Sequence, residues 1–403
     1  MTLDTVKLSL YKYKIKSFTL MIGKGKKKTK YDVESTLIER MNIIHNYEEE
    51  CLPFFTVTMT LPTKIYRVLV DQKNANDILV NLCIQKGKFS DGVSRDNDAL
   101  ISYRDAIKGK FHVVIGPRRQ DLSQELQEVA ENDDNIYGQY ASVTVALYSE
   151  LFFENYDMVI NGNLEATTLI DVIFNCLTKA KIKKMLIAPP DNHKVYSQFI
   201  ITPIPLYEQL YRICNTYAFF KKGGIVYFDT NRGYIIPAVN KCVAYEPNEY
   251  KVTYIILATN SQATNQVGGG YDNTKKKYYV LNGLSINTRN QDDPSTNVML
   301  VNANGKVKKM NKKSAHISEV VVQNEGESML NSYKKDILES RKAIEIPFKD
   351  IDISALTPNK MFTVTAETAK YKKYNGNYRL SGCIHAFEKE GDYFSVTSIA
   401  SLK

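Results

Sequence analysis

The amino-acid sequence predicts an α+β, β-rich fold: two similar β-barrel (tube-like) domains with an inserted small helix-hairpin module. Three observations point there. Apolar and polar residues alternate in short runs through the first and last thirds, helical spacing is concentrated in the middle, and the last strands are joined by turn residues and run to Ser401-Leu402-Lys403. A run of hairpin-linked strands of that kind is what a closing barrel needs, and closure removes exposed strand edges.

The chain opens with Val6, Leu8 and Leu10, then Tyr11, Tyr13 and Ile15, then Phe18, Leu20 and Ile22, spaced by Lys, Ser or Thr. The parity changes twice, which predicts strand segments with bulges. Residues 23–30 read as a mobile basic loop and residues 32–48 as a short helix. Phe55, Val57 and Met59 alternate with Thr56, Thr58 and Thr60, and residues 65–70 continue as a strand after Pro62. Residues 77–107 show no clean period, and 111–115 read as a strand. Asp121 or Ser123 caps an expected helix whose Leu122, Leu126 and Val129 share a face, and a strand at 142–147 completes the first barrel domain, residues 1–160.

Residues 161–236 form the predicted α+β module. Asn163 is the expected cap of a helix carrying Leu169, Ile170, Ile173 and Leu177, and Pro205 opens a second carrying Leu206, Leu210, Ile213 and Tyr217. Gly223-Gly224, a strand at 225–229, the turn Asn231-Arg232-Gly233 and a strand at 234–236 follow. In the second barrel domain, residues 237–403, a buried strand at 252–257 precedes an Asn-, Gly- and Lys-rich insertion or arm at about 261–313. A helix at 329–342 then leads into strands at 343–348, 361–365, 378–387 and 393–399. Asn375-Gly376 and Gly391-Asp392 supply the turns between them.

Composition narrows the function. With 403 residues the chain is long enough for several domains and buries about three quarters of its unfolded surface. It has no Trp but 27 Tyr and 16 Phe, rings suited to half-buried sheets and to interfaces. The formal charge of +9 is uneven: residues 1–30 carry nine Lys against Asp4 alone, leaving the remainder almost neutral. Nucleic-acid binders carry basic stripes on several elements, so no stable nucleic-acid complex is expected. There is no apolar run of membrane-spanning length, so no membrane insertion is expected.

Cys51, Cys83, Cys176, Cys214, Cys242 and Cys383 lie far apart, and His45, His112, His193, His316 and His385 fall in no H-E-x-x-H frame. Catalytic, cofactor-binding and metal residues are accordingly expected to be none, with His385 a packing residue on its strand. Gly268-Gly269-Gly270 before Lys275-Lys276-Lys277 lacks the G-x-x-x-x-G-K-[ST] spacing of a phosphate loop, and Tyr271, Tyr278 and Tyr279 lack the small barrel on which single-strand stacking platforms sit.

Two stretches, residues 205–236 and 329–402, carry a resemblance. In the second, Leu356-Thr357-Pro358-Asn359-Lys360 precedes a strand, then come Tyr374-Asn375-Gly376-Asn377-Tyr378-Arg379-Leu380, Ile384-His385-Ala386-Phe387 and Gly391-Asp392-Tyr393-Phe394. This resembles the central hub proteins of contractile-tail bacteriophage baseplates, a family that also includes the N-terminal half of type VI secretion VgrG spikes and the phage late-control tail proteins. Asn359 stands where that family favours Gly, a substitution compatible with a left-handed backbone. The resemblance implies a structural homotrimer, not an enzyme and without cofactors, that adapts a sixfold tail tube to a threefold central spike. Its implied partners are itself, the central spike protein, the tail tube or tube-initiator protein, and the baseplate wedge and tape-measure proteins. Its implied place is the virion baseplate after assembly in the host cytoplasm, with any piercing point on a separate polypeptide. A peptidoglycan-cleaving tail enzyme and another tail ring component, the distal tail or tube-initiator protein, are the alternatives.

Overall fold

A computed structural model describes residues 8–9, 11–24, 28–48, 50–72, 77–89, 100–115, 140–150, 153, 155, 158–230, 232–239, 252–257, 270–272, 277–280, 287–288, 298–301, 307–309, 319–322, 344–366 and 369–403. In chain order the principal elements are β1 (Tyr11–Ile22), β2 (Ile38–Asn46), β3 (Phe54–Pro62), α1 (Thr63–Val70), β4 (Ile78–Phe89), β5 (Leu100–Ile115) and β6 (Tyr140–Ser149). The module holds β7 (Val159–Thr168), α2 (Leu169–Lys179), β8 (Met185–Ile187), β9 (Val195–Pro205), α3 (Leu206–Asn215), β10 (Gly224–Phe228) and β11 (Gly233–Pro237). After it come β12 (Val252–Leu257), β13 (Ile344–Lys349), β14 (Met361–Ala366), β15 (Gly376–Glu390) and β16 (Tyr393–Leu402).

Eight strands close on themselves in the order β15-β2-β3-β6-β5-β4-β1-β16, and β16 pairs back with β15. The predicted β-rich α+β class and its barrel are therefore present. Strand alternation fills the interior in rows: His385, Ile43, Phe55, Leu147 and Val113 are consecutive cross-strand neighbours, and Phe387, Met41, Val57 and Val145 form the next row. Opposite them, Val80 and Leu82 of β4 face Leu20 and Phe18 of β1. The interior is thus a packed core of its own.

The barrel does not fit within residues 1–160. Its last two strands are the C-terminal hairpin, because β1 and β2 need a partner on their free edges and the hairpin supplies one to each. The same hairpin also belongs to a second sheet: the first part of β15 pairs with β14, and the second half of β16 pairs with β13. β14 lies parallel to β12, which lies parallel to strand Lys277–Val280, with Gly270–Asp272 beyond it. Phe387, Phe394 and Val396 enter the barrel core, whereas Tyr378, Leu380, Ala400 and Leu402 enter a second core with β13, β14 and the module.

Several sequence readings change. The helix expected at 32–48 is strand β2, because Met41, Ile43 and His45 point into the barrel; only Ser35–Leu37 turns, as a 3₁₀ segment. Residues 65–70 are helical, with Ile65, Val68 and Leu69 on one face and Leu69 buried. Residues 77–107 hold β4 and most of β5, whose register shifts at Ile84/Gln85 and Gly87/Phe89 blur the alternation. Within the basic loop, Thr29–Asp32 pairs back onto Thr19–Ile22. Asn163 sits inside β7 opposite Ile200; the cap of α2 is Thr168, in a reciprocal capping box with Asp171. The proposed arm contains strands where it is described, and Asn359 is fully buried but takes no positive φ. The helices expected after Asp121 and at 329–342 lie outside the described residues.

Other readings hold. α3 starts after Pro205, β10 and β11 form the predicted hairpin, and Gly391 takes φ +63° at the first turn position between Glu390 and Tyr393. No helix among the described residues is long and apolar enough to cross a membrane.

Candidate functional site

The inward rows of the barrel are apolar until its end nearest the module, where they turn polar. Cys383 of β15 stands opposite His45 of β2, and His385 is one inward position further along β15. Two residues apart on a strand means one face, so Cys383-Ile384-His385 places thiol and imidazole side by side while Ile384 points out. All three inward side chains are buried, and their ligand-type atoms lie within 4.8 Å of one another.

Each imidazole is held by a hydroxyl. His45 Nδ1 is 2.9 Å from the Tyr227 hydroxyl, and His385 Nδ1 is 2.7 Å from Ser398 Oγ. Cys383 Sγ is 3.3 Å from His385 Nε2. The two imidazole rings meet edge to face at 5.6 Å, and Tyr47 stacks on His45 at 5.5 Å. Tyr227 comes from β10, whose next residue, Phe228, donates its backbone N–H to the Cys51 carbonyl at 2.8 Å. The module therefore plugs the mouth through a tyrosine and a main-chain hydrogen bond.

Burial sets the protonation states here. It holds His45 below the usual imidazole range, against the nearby Asp229 charge, and His385 well below it, so both are neutral at pH 7. Burial also pushes the Cys383 thiol and the Tyr47 and Tyr227 hydroxyls up. A protonated, buried thiol beside a neutral imidazole is not an activated nucleophile. The chemistry these groups offer is hydrogen bonding and ligation.

Of the residues weighed in the sequence, His45, His385 and Cys383 come together, whereas His112 packs on Phe153 outside the mouth and His193 lies in the module. The sequence reading finds no closely spaced Cys/His set and so misses Cys383 and His385, whose available signal is Cys-x-His on an alternating strand. His45 and Tyr227 carried no sequence signal, since only barrel closure and module docking bring them near.

The outer face of the same wall is apolar. Pro347, Ile399, Ile384, Ile44 and Phe54 are successive cross-strand neighbours over β13, β16, β15, β2 and β3. Ile384 is 41% exposed and Ile399 37%. Phe54 extends the row to Tyr148, 5.8 Å away between ring centres. On the module, Ile200 of β9 is 67% exposed, and Phe174 and Tyr211 project from α2 and α3.

The profile of the family described as bacteriophage PBS1 gene 109 protein matches residues 3–403. No curated protein matches the chain significantly. Among solved structures it is similar to the tail protein from Neisseria meningitidis MC58, at 10% identity and TM-score 0.48 over 96% of each chain. It is similar also to the 43 kDa tail protein of prophage MuSo2 from Shewanella oneidensis, at 11% identity and TM-score 0.49 over 96% of this chain and 97% of that one. A Francisella PdpA–VgrG complex gives 8% identity and TM-score 0.46 over 99% of this chain and 53% of its own.

Proposed function

This chain belongs to the bacteriophage PBS1 gene 109 protein family, and from that premise we propose that it is a structural hub of a contractile-tail baseplate. In this reading it acts in the virion as a homotrimer joining a sixfold tube to a threefold central spike, with no catalytic step. Its partners are copies of itself, the spike, the tube or its initiator, and the neighbouring wedge and tape-measure proteins.

The observation that carries the reading is the outward apolar row from Pro347 through Ile399, Ile384 and Ile44 to Phe54 on a closed barrel. A closed barrel has no edge strand to share, so it assembles through faces, and an exposed apolar row is such a face. The shared β15–β16 hairpin adds mechanical logic, because load applied to the barrel passes along continuous strands into the second sheet and core.

The test is a pair of surface substitutions, Ile384→Asp with Ile399→Asp. Both residues are partly exposed on the outer face, so each single change is expected to cost the monomer only about 1 kcal/mol. The double variant is expected to stay folded by circular dichroism and to elute as a monomer where the parent elutes as a trimer. A double variant that trimerises like the parent contradicts the assigned face.

A further inference from the structure

We propose that His45, Cys383 and His385 form a structural transition-metal site, with zinc the best-matched ion, that fastens the mouth of the barrel to the module. A cysteine with two histidines is a borderline-soft donor set, the kind that tetrahedral zinc accepts. Zn–S of about 2.3 Å and Zn–N of about 2.0–2.1 Å require ligand atoms roughly 3.4–3.6 Å apart in a tetrahedron. Cys383 Sγ and His385 Nε2 already stand at 3.3 Å, and the three ligand atoms fall within 4.8 Å. Shifts on the order of 1 Å bring atoms within 4.8 Å of one another to those separations.

The surroundings match the pattern of metal-bound imidazole. A ligating histidine has its second nitrogen engaged by a hydrogen-bonding group that fixes ring orientation. Here Ser398 and Tyr227 fill that role on the two Nδ1 atoms. Tyr47, whose ring stacks on His45 beside the cluster, brings an oxygen donor for the fourth position. A purely hydrogen-bonded cluster accounts for the Nδ1 contacts but does not require two imidazoles and a thiol to gather with their ligand-type atoms within 4.8 Å. Binding replaces the S–H bond of Cys383 by a metal–sulfur bond and releases one proton to solvent; no electron is transferred.

The site ties together β2, β15 and, through Tyr227, β10, which are distant in sequence. The proposal is independent of the hub reading. A trimer without metal overturns the site and leaves the hub, and a metal-loaded monomer does the reverse.

The full chain, purified from zinc-supplemented culture, is expected to carry about one zinc per chain by elemental analysis. After chelation and Co²⁺ addition it should show a thiolate-to-cobalt charge-transfer band and intense tetrahedral d–d bands. Cys383→Ser, which keeps size and hydrogen bonding, should abolish the charge-transfer band. Tyr227→Phe leaves the three ligands in place and should weaken Co²⁺ affinity by about 10–100-fold, a change that packing alone does not produce. Zinc below about 0.1 per chain together with no cobalt band overturns the site, as does an unchanged band in Cys383→Ser.

Discussion

At the residue scale, one cross-strand pair, Tyr13 with Phe394, closes the barrel at the seam between β1 and β16. Side chains do the rest. The buried Tyr13 hydroxyl donates to the Ile351 carbonyl at 2.8 Å and accepts from the Ile353 N–H at 2.9 Å. Tyr13→Phe leaves both main-chain groups without that partner, and urea unfolding is expected to show a loss of about 1–3 kcal/mol.

Beside it, Lys12 pairs with Glu390 at 2.5 Å and Asp350 at 3.2 Å, while Asp350 accepts from Ser395 Oγ and the Val396 N–H. The hydrogen bond from Lys12 pulls Glu390 below its usual 4.5. Burial works against the Lys12 charge, but the bond to Glu390 and the Asp350 charge leave it above 10.5. The signs follow from which state binds protons. The depressed Glu390 contributes stability that is complete above about pH 4.5 and is lost as pH falls through its folded value. The raised Lys12 contributes stability that is complete below about pH 10.5 and is lost as pH rises through its folded value. Glu390 is half exposed, so solvent screens its share to a fraction of a kcal/mol. Urea midpoints measured against pH should therefore show small shoulders at both ends, and Lys12→Met should flatten both.

At the element scale the hairpin β15–β16 governs the molecule, since its two halves feed two hydrophobic cores. One calorimetric transition is expected, with Phe387→Ala in the barrel core and Leu402→Ala in the other core each shifting it to lower temperature and costing about 2–5 kcal/mol of stability. Two resolved transitions, each sensitive to only one substitution, would contradict that coupling. Gly382 sits where β15 crosses β2, and a Cβ there would lie 2.7 Å from the His45 carbonyl oxygen. Backbone cannot step aside cheaply, so Gly382→Ala is expected to cost about 1–3 kcal/mol and to disturb the barrel mouth beside it.

Elements were legible where one local rule acted alone. Phe55, Val57 and Met59 against three threonines spell a half-buried strand, and Gly391-Asp392 spells its turn. β2 reads as a helix in the sequence because Glu39-Arg40 and the register shift between Ile38 and Arg40 break its alternation, leaving Ile38, Met41 and His45 at spacings that also suit a helix. The short apolar run at 65–70 fits either period, and packing of Leu69 decided it. The barrel mouth was half legible: Cys383 and His385 share a strand face, but His45 is 338 residues from Cys383 and Tyr227 belongs to another sheet. No local pattern encodes that meeting.

For the whole molecule, the division into consecutive barrel, module and barrel gives way to a barrel that takes strands from both ends of the chain and a second sheet that grows from its closing hairpin. That interlocking suits a load-bearing part, since pulling either sheet away requires breaking hydrogen bonds along β15 and β16. The outward apolar row lies on this shared wall, so assembly through it would brace both cores at once. The most direct measurement is electron microscopy of the purified protein with its spike partner, counting 45.9 kDa subunits in end views. The account predicts three subunits in a ring whose inner wall has pseudo-sixfold density. A true sixfold ring, or compact monomers with the spike present, would contradict it.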